Sequence, residues 1–433
     1  MLRSKWHYLV FFALAFVFVS ACTTPPPVEE PEPVSFADPN LEAAISAALG
    51  KTPGLPVSAP ELAGLAELKA NYANISDLSG IEQCSNLNTL DLGYNHLADL
   101  SPLASLANLT SLDLSSNLIV DVSPLAALVN VTALNLAYNQ IGDISPLKSL
   151  VNLAWLDLSF NEISDISPLG SLTEMTFLFL STNAIEDISA LSSLAALREL
   201  ELDGNEISDI EPLSSLKSLE VLNLGGNRVS NIAPLASLTE LSVLYLSANR
   251  ISELSPLSGL SGLVELYLSS NRIGDIAALA TLTKLSILDI SNNGFSDISP
   301  LAPFTILKML DLSSNYNIAE ISSLSGLINL EELRLGTNKI SDITPLVPLA
   351  RLKILYLSNN EIKDLSALTP LVNLERLSLG RNQISDITPL LENGGLGDGD
   401  HLDLKNNNPD LSQNSEDIDV IRQLEDRGVQ VDY

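Results

Sequence analysis

Two cysteines, Cys22 and Cys84, are all that this 433-residue chain contains, so a disulfide-dense scaffold is excluded. Histidine is nearly as scarce. His7, His96 and His401 are too few and too far apart for a zinc site or for a catalytic relay built on imidazole. Aromatic residues make up only 5% of the chain, so the core has to be aliphatic. Basic residues number 22 against 53 acidic ones, and the resulting net charge of -31 opposes a phosphate backbone. No nucleic-acid partner is expected; a basic, neutral or cation-bridged one fits better. Catalytic motifs are missing as well: there is no G-x-S-x-G, no H-E-x-x-H and no phosphate loop. The glycines at 394, 395, 397 and 399 lack the strand-to-helix setting of a dinucleotide site. Neither an enzyme nor a cofactor is expected.

Long apolar runs are absent save one. Leu9 to Val19 follows Arg3 and Lys5, is too short to span a bilayer comfortably, and ends in small residues, as an export signal does. Val19-Ser20-Ala21-Cys22 resembles the bacterial lipobox. That resemblance implies a signal peptide over 1–21 and a lipidated Cys22 that anchors the chain to a membrane on the extracytoplasmic side. Thr23, in place of an Asp, points to the outer membrane or cell surface. With Cys22 acylated no intramolecular disulfide can form, and Cys84, among Ile81, Leu87 and Leu90, reads as a buried apolar thiol.

Residues 22–35 then carry five prolines with Glu29, Glu30 and Glu32, a tether that favours polyproline II. At about 3.1 Å per residue it reaches roughly 40 Å. A helical N-terminal cap is expected over 36–67. Asp38-Pro39 starts a helix with Leu41, Ile45 and Leu49 on one face, Gly50 ends it, and Ser58 with Glu61 forms a capping box.

From residue 68 to 410 the chain repeats. The Asn of L-x-x-L-x-L-x-x-N stands at Asn95, Asn117, Asn139 and onward to Asn315 at intervals of 22 residues, with one extra residue before Asn338. The period resumes at Asn360 and Asn382, and a last copy ends at Asn407 after the glycine-containing insertion. Leu68, Ala70, Ala73 and Ile75 fill the same register at the start, giving about sixteen coils. Leu90 and Leu92 are two apart and share one side of a short strand. Asn95 turns the chain inward, where an amide both donates and accepts. Asp99-Leu100-Ser101-Pro102-Leu103, recurring as D-I-S-P-L, favours a capped turn or 3₁₀ segment on the outer side. No coil buries its own apolar faces; stacking does, and the ends need caps. Residues 411–433 read as the C-terminal cap, a helix from Ser415 to Arg427 closed by Gly428 with a last strand through Val429 and Val431.

The repeat resembles the leucine-rich repeats of the internalins, and also those of the cytosolic phosphatase-regulator type, which conflicts with the export signal. The start Phe36-Ala37-Asp38-Pro39-Asn40 resembles the N-terminal cap of exported bacterial repeat proteins. The resemblance implies an α/β solenoid with a concave parallel β-sheet, a 3₁₀/turn convex side, helical caps, and protein binding on the concave face. The chain has no LPXTG sorting signal, so no particular internalin receptor carries over.

In each coil the residue between the paired leucines and those flanking them face outward from the sheet. One column brings Trp155 beside Phe177, with Glu199 adjoining; the next brings Phe179, Glu201, and two coils further Tyr245 and Tyr267. Clustered outward aromatics rimmed by charge are what binding hot spots are made of. These seven residues are the expected partner site, for a protein or glycan, in a monomer acting in recognition or adhesion. A structural scaffold subunit of an envelope complex is the other reading. The outer Asp column is read as turn capping, and no metal is expected. Asp398-Gly399-Asp400 resembles a calcium loop but lacks the spaced ligand set, and is read as a surface loop.

Overall fold

The computed structural model of the protein describes residues 33–52, 54–413 and 415–433. The expected export signal, Cys22 and the tether up to residue 32 lie outside the described residues. Among the described residues, seventeen three-residue strands, β1 (Glu67–Lys69) to β17 (Gln430–Asp432), pair in parallel, each with its neighbours in the chain. The register repeats without slippage: Leu68 faces Leu90, Leu90 faces Leu112, and so on to Leu402 facing Val431. The expected fold is the one observed, a solenoid with one parallel sheet and 3₁₀ turns behind it.

Strands β2 to β14 and β16 each bury the middle residue and half-expose the two beside it, as the two-residue side-chain period requires. The leucines pile into one continuous aliphatic core running from Leu41 to Val429. Asparagine closes each turn. Asn205 Nδ2 donates to the carbonyls of Leu180 at 2.9 Å and Leu202 at 3.0 Å, while its Oδ1 accepts the Ile185 N–H at 3.0 Å. The same amide thus ties two coils together and satisfies groups with no strand partner.

The outer side is built from segments such as Ser101–Ser105, whose Pro at the first turn fixes φ where no N–H is needed. Asp99 Oδ1 accepts the Ser101 N–H at 2.8 Å, and Asp121, Asp143 and Asp165 cap their turns in the same way. These bonds account for the Asp column.

At the start, α1 (Pro39–Ala48) is capped by Asp38, whose other oxygen accepts the Ser76 N–H at 2.7 Å and fastens the helix to the first coil. Leu41 and Ile45 close the core. Gly80, at φ +104, lies against Phe36, where a Cβ would meet the ring at 2.7 Å. At the other end α2 (Glu416–Asp426) turns Val420, Ile421 and Leu424 inward.

Two departures from strict repetition are informative. Between Asn315 and Ile318 the extra residue moves the next N–H out of step, and Asn315 Oδ1 and Asn338 Oδ1 are buried without a partner. Asp398 and Gly399, expected in a surface loop, are exposed, whereas the start of the insertion is pinned. Asn393 is fully buried, its Nδ2 donates to Leu368 O at 2.8 Å, and Gly395 abuts the Val372 carbonyl too closely for any side chain.

Candidate functional site

Side chains at the first and third positions of each strand cover the sheet, so register decides which of them meet. In β5 (Trp155–Asp157), β6 (Phe177–Phe179) and β7 (Glu199–Glu201), Trp155, Phe177 and Glu199 share one row; Asp157, Phe179 and Glu201 share the other. Trp155 does not stack on its row neighbour. It leans across to Phe179, with ring centroids 5.6 Å apart and planes tilted by 49°, and all three rings of the group are half-buried. A tilted pair lets the positive edge of one ring meet the negative face of the other.

Electrostatics on this face are set by burial. Asp157 takes a hydrogen bond at 2.9 Å from the Ser159 N–H, yet burial raises its carboxyl above the usual range. Glu201 is pushed up to about 7, by burial first, with Asp203 and Glu199 adding repulsion and Asn223 opposing. Strand β8 (Val221–Asn223) interrupts the aromatics. Beyond it, Tyr245 in β9 (Val243–Tyr245) and Tyr267 in β10 (Glu265–Tyr267) stack at 4.5 Å and 10°. The Tyr267 hydroxyl donates to Glu265 Oε2 at 3.1 Å. The expected site residues therefore form two aromatic pairs, Trp155–Phe179 and Tyr245–Tyr267, with Phe177 in neither and Glu199 and Glu201 between them.

Further along the same face, a cavity of about 440 Å³ is lined by Tyr356, Arg376, Ser378, His401, Asp403 and Lys405 among others. Lys405 Nζ lies 3.0 Å from Asp432, and Arg334 sits 5.3 Å over the Tyr356 ring. Arg334, Arg376 and Lys405 bring positive charge to this end of the face.

One set of exposed aromatics escaped the strand-based reading. The residue just before each turn asparagine has a left-handed backbone, and Tyr94, Tyr138 and Phe160 occupy it, with Tyr72 before Ala73. Their recurrence one place before the asparagine was the available signal. Cys84 is fully buried and its thiol is pushed up to about 11 by burial, which keeps it inert. Among the described residues no three His, Cys, Asp or Glu side chains converge as metal ligands, and no helix is long and apolar enough to cross a membrane.

A family model for leucine-rich repeats matches residues 107–149, 151–193, 195–237, 217–259, 239–280, 261–303, 307–348 and 350–392, and a second such model matches 83–100. Among solved structures, an internalin of Listeria monocytogenes is 32% identical, with 89% of this chain and 99% of that one covered and a TM-score of 0.59. A leucine-rich-repeat protein of Leptospira interrogans is 24% identical over 87% of this chain and 97% of that one, with a TM-score of 0.66. A chain in a TLR13–ssRNA13 complex is 25% identical over 87% and 62%, with a TM-score of 0.60. No curated protein matches.

Proposed function

Since the chain belongs to the leucine-rich-repeat family, we propose that it is a recognition protein of the bacterial envelope, gripping a protein partner on its sheet face. In this reading residues 1–21 direct export, lipidated Cys22 holds the molecule to the membrane, and the segment to residue 35 spaces the solenoid from it. Adhesion follows naturally from such a placement. The observation that carries the proposal is the tilted Trp155–Phe179 pair, half-exposed beside the half-exposed Phe177 and next to Glu199 and Glu201. An apolar anchor flanked by poorly hydrated carboxylates suits a partner that offers an apolar side chain with Lys or Arg beside it. The net charge of -31 favours such a basic partner and disfavours nucleic acid.

The test is capture from intact envelopes with the tagged full chain, followed by titration with the purified captured protein. The variant Trp155→Ser/Phe177→Ser/Phe179→Ser is expected to bind it at least tenfold more weakly, with an unchanged circular dichroism spectrum. Equal binding by that folded variant would overturn the assignment of the site.

A further inference from the structure

The place just after each turn asparagine is open to solvent, and in the early coils it holds His96, Leu118, Gln140, Glu162, Ala184 and Glu206. Arg228, Arg250 and Arg272 then follow in three successive coils, in a chain with 22 basic residues against 53 acidic ones. They lie rung upon rung. The Arg250 N–H donates to Val229 O and the Arg272 N–H to Ile251 O, both at 2.9 Å, so neighbouring side chains start about 4.8 Å apart. Like charges on adjacent rungs repel, and all three residues are exposed, so the fold itself has no use for the column. Arg228 reaches Glu206 at 3.0 Å, whereas among the described residues no carboxylate pairs with Arg250 or Arg272. Two guanidiniums are left free.

The surroundings have changed with them. From Asp77 to Asp386 the outer column holds an acid in every coil but one, and the exception is Asn231, in the coil of Arg228. On the other side the arginines adjoin the sheet. Tyr245 and Tyr267 stack in the coils of Arg250 and Arg272. Between rings and arginines the exposed or half-exposed residues are Ser247 and Ser269, hydrogen-bonded to each other at 2.9 Å, then Ala248 and Ser270. In the early coils Tyr94, Tyr138 and Phe160 stand at the place of Ala248 and Ser270 and raise a rim there. At these two coils the rim is low, and a chain lying on the tyrosines can continue over it to the arginines.

A guanidinium offers its N–H donors in a planar fork that fits an oxyanion. The acids around the column limit how large that anion is. Glu206 stands one rung before it, Glu253 and Asp275 come three residues after Arg250 and Arg272, and Glu265 lies on the sheet side. A charged polymer crossing the column meets acids on both flanks, whereas two neighbouring acid side chains match the two free guanidiniums and reach no further. We infer that Arg250 and Arg272 clamp an acidic segment of the protein partner, one Asp or Glu to each, where its chain leaves the Tyr245–Tyr267 pair over the low rim.

The inference rests on the reading of a protein partner at the sheet, but its test does not require that partner. The probe is a dye-labelled pentapeptide amide, Leu-Gly-Glu-Glu-Gly, titrated with the purified full chain at low ionic strength and followed by fluorescence anisotropy. It is expected to bind, and the Leu-Gly-Gln-Gln-Gly counterpart to bind at least tenfold more weakly. Arg250→Gln/Arg272→Gln is expected to weaken the Glu peptide at least tenfold with an unchanged circular dichroism spectrum. Lys148→Gln/Lys217→Gln removes the same charge from elsewhere on the rod and is expected to bind as the parent does. So is the triple variant at Trp155, Phe177 and Phe179, so a failure of the sheet site leaves this result readable. Absence of binding by the Glu peptide overturns the inference, as does an equal loss in the two charge variants. Inorganic phosphate or a thymidine hexanucleotide that binds more tightly than the peptide, and loses its binding in Arg250→Gln/Arg272→Gln, overturns it too.

Discussion

Replacing one turn asparagine tests the physics of the whole rod, because the loss can be worked out bond by bond. In Asn205→Ala, the Ile185 N–H loses its acceptor at 3.0 Å and is left buried. The two carbonyls fare better: Leu180 O keeps the amide of Asn183 at 3.1 Å, and Leu202 O keeps that of Asn227 at 2.9 Å. One orphaned donor, two weakened acceptors and a small void together cost about 2–4 kcal/mol. Asn315 supplies the internal control. Its Oδ1 already lacks a donor, and the carbonyls it serves, Ile290 O and Leu312 O, also bond Asn293 and Asn338. Asn315→Ala therefore strands no N–H, and its cost is expected near 1 kcal/mol. Urea unfolding followed by far-ultraviolet circular dichroism gives both numbers, and hydrogen exchange locates the opening in the flanking coils. A loss at Asn315 equal to or greater than that at Asn205 would refute the reasoning.

Two further outcomes follow from the same structure. Glu201 titrates near 7 in the fold, above its unfolded value, so the native state holds its proton longer and stability falls as pH rises between about 4.5 and 7. Glu201→Gln is therefore expected to match the parent at pH 4.5 and to exceed it by about 1–3 kcal/mol at pH 8; a gap that does not change with pH in urea titrations counts against it. Deleting Asn317 restores the spacing of the other coils and brings the Ile318 N–H back to Asn338 Oδ1. A gain of about 1 kcal/mol in unfolding free energy is expected, and a variant less stable than the parent would show that the extra residue serves the fold.

The leucines and asparagines were legible because each carries a positional rule that the chain states again in every coil. A two-residue spacing gives the face, and a recurring amide gives the turn. Signals that occur once were harder. Strand parity puts Trp155 and Phe179 on the outer face, but not which ring leans on which; that depends on rotamers chosen across three strands. Parity is also silent about Tyr94 and Tyr138, which lie after the strand in a left-handed turn. Gly204 and Gly226 at the equivalent place were the clue that the position is conformationally special. The glycines of the insertion carry no positional rule of their own, yet Gly395 is there for close approach to the Val372 carbonyl. Contact with the preceding coil decides that.

The placement of the carboxylates gives an independent reason to expect a partner on the sheet rather than on the outer side. Asp91 and Asp99 are eight positions apart, and their environments are opposite. Hydrogen bonds from the hydroxyl and N–H of Ser101 hold Asp99 below the usual carboxylate range, and Asp143, Asp165 and Asp297 are held low by the serine two residues on. On the sheet, burial raises Asp91, Asp157 and Asp311. A partner cation approaching the outer column meets hydrated carboxylates that already have donors, and the exchange of water for protein gains little. On the sheet the carboxylates also accept the N–H two residues on, but burial has already stripped much of their water. A cation brought there relieves a strain that folding created, so each new bond adds more to affinity than it does outside. Folding thus places dehydrated carboxylates on the same surface as the tilted aromatic pair.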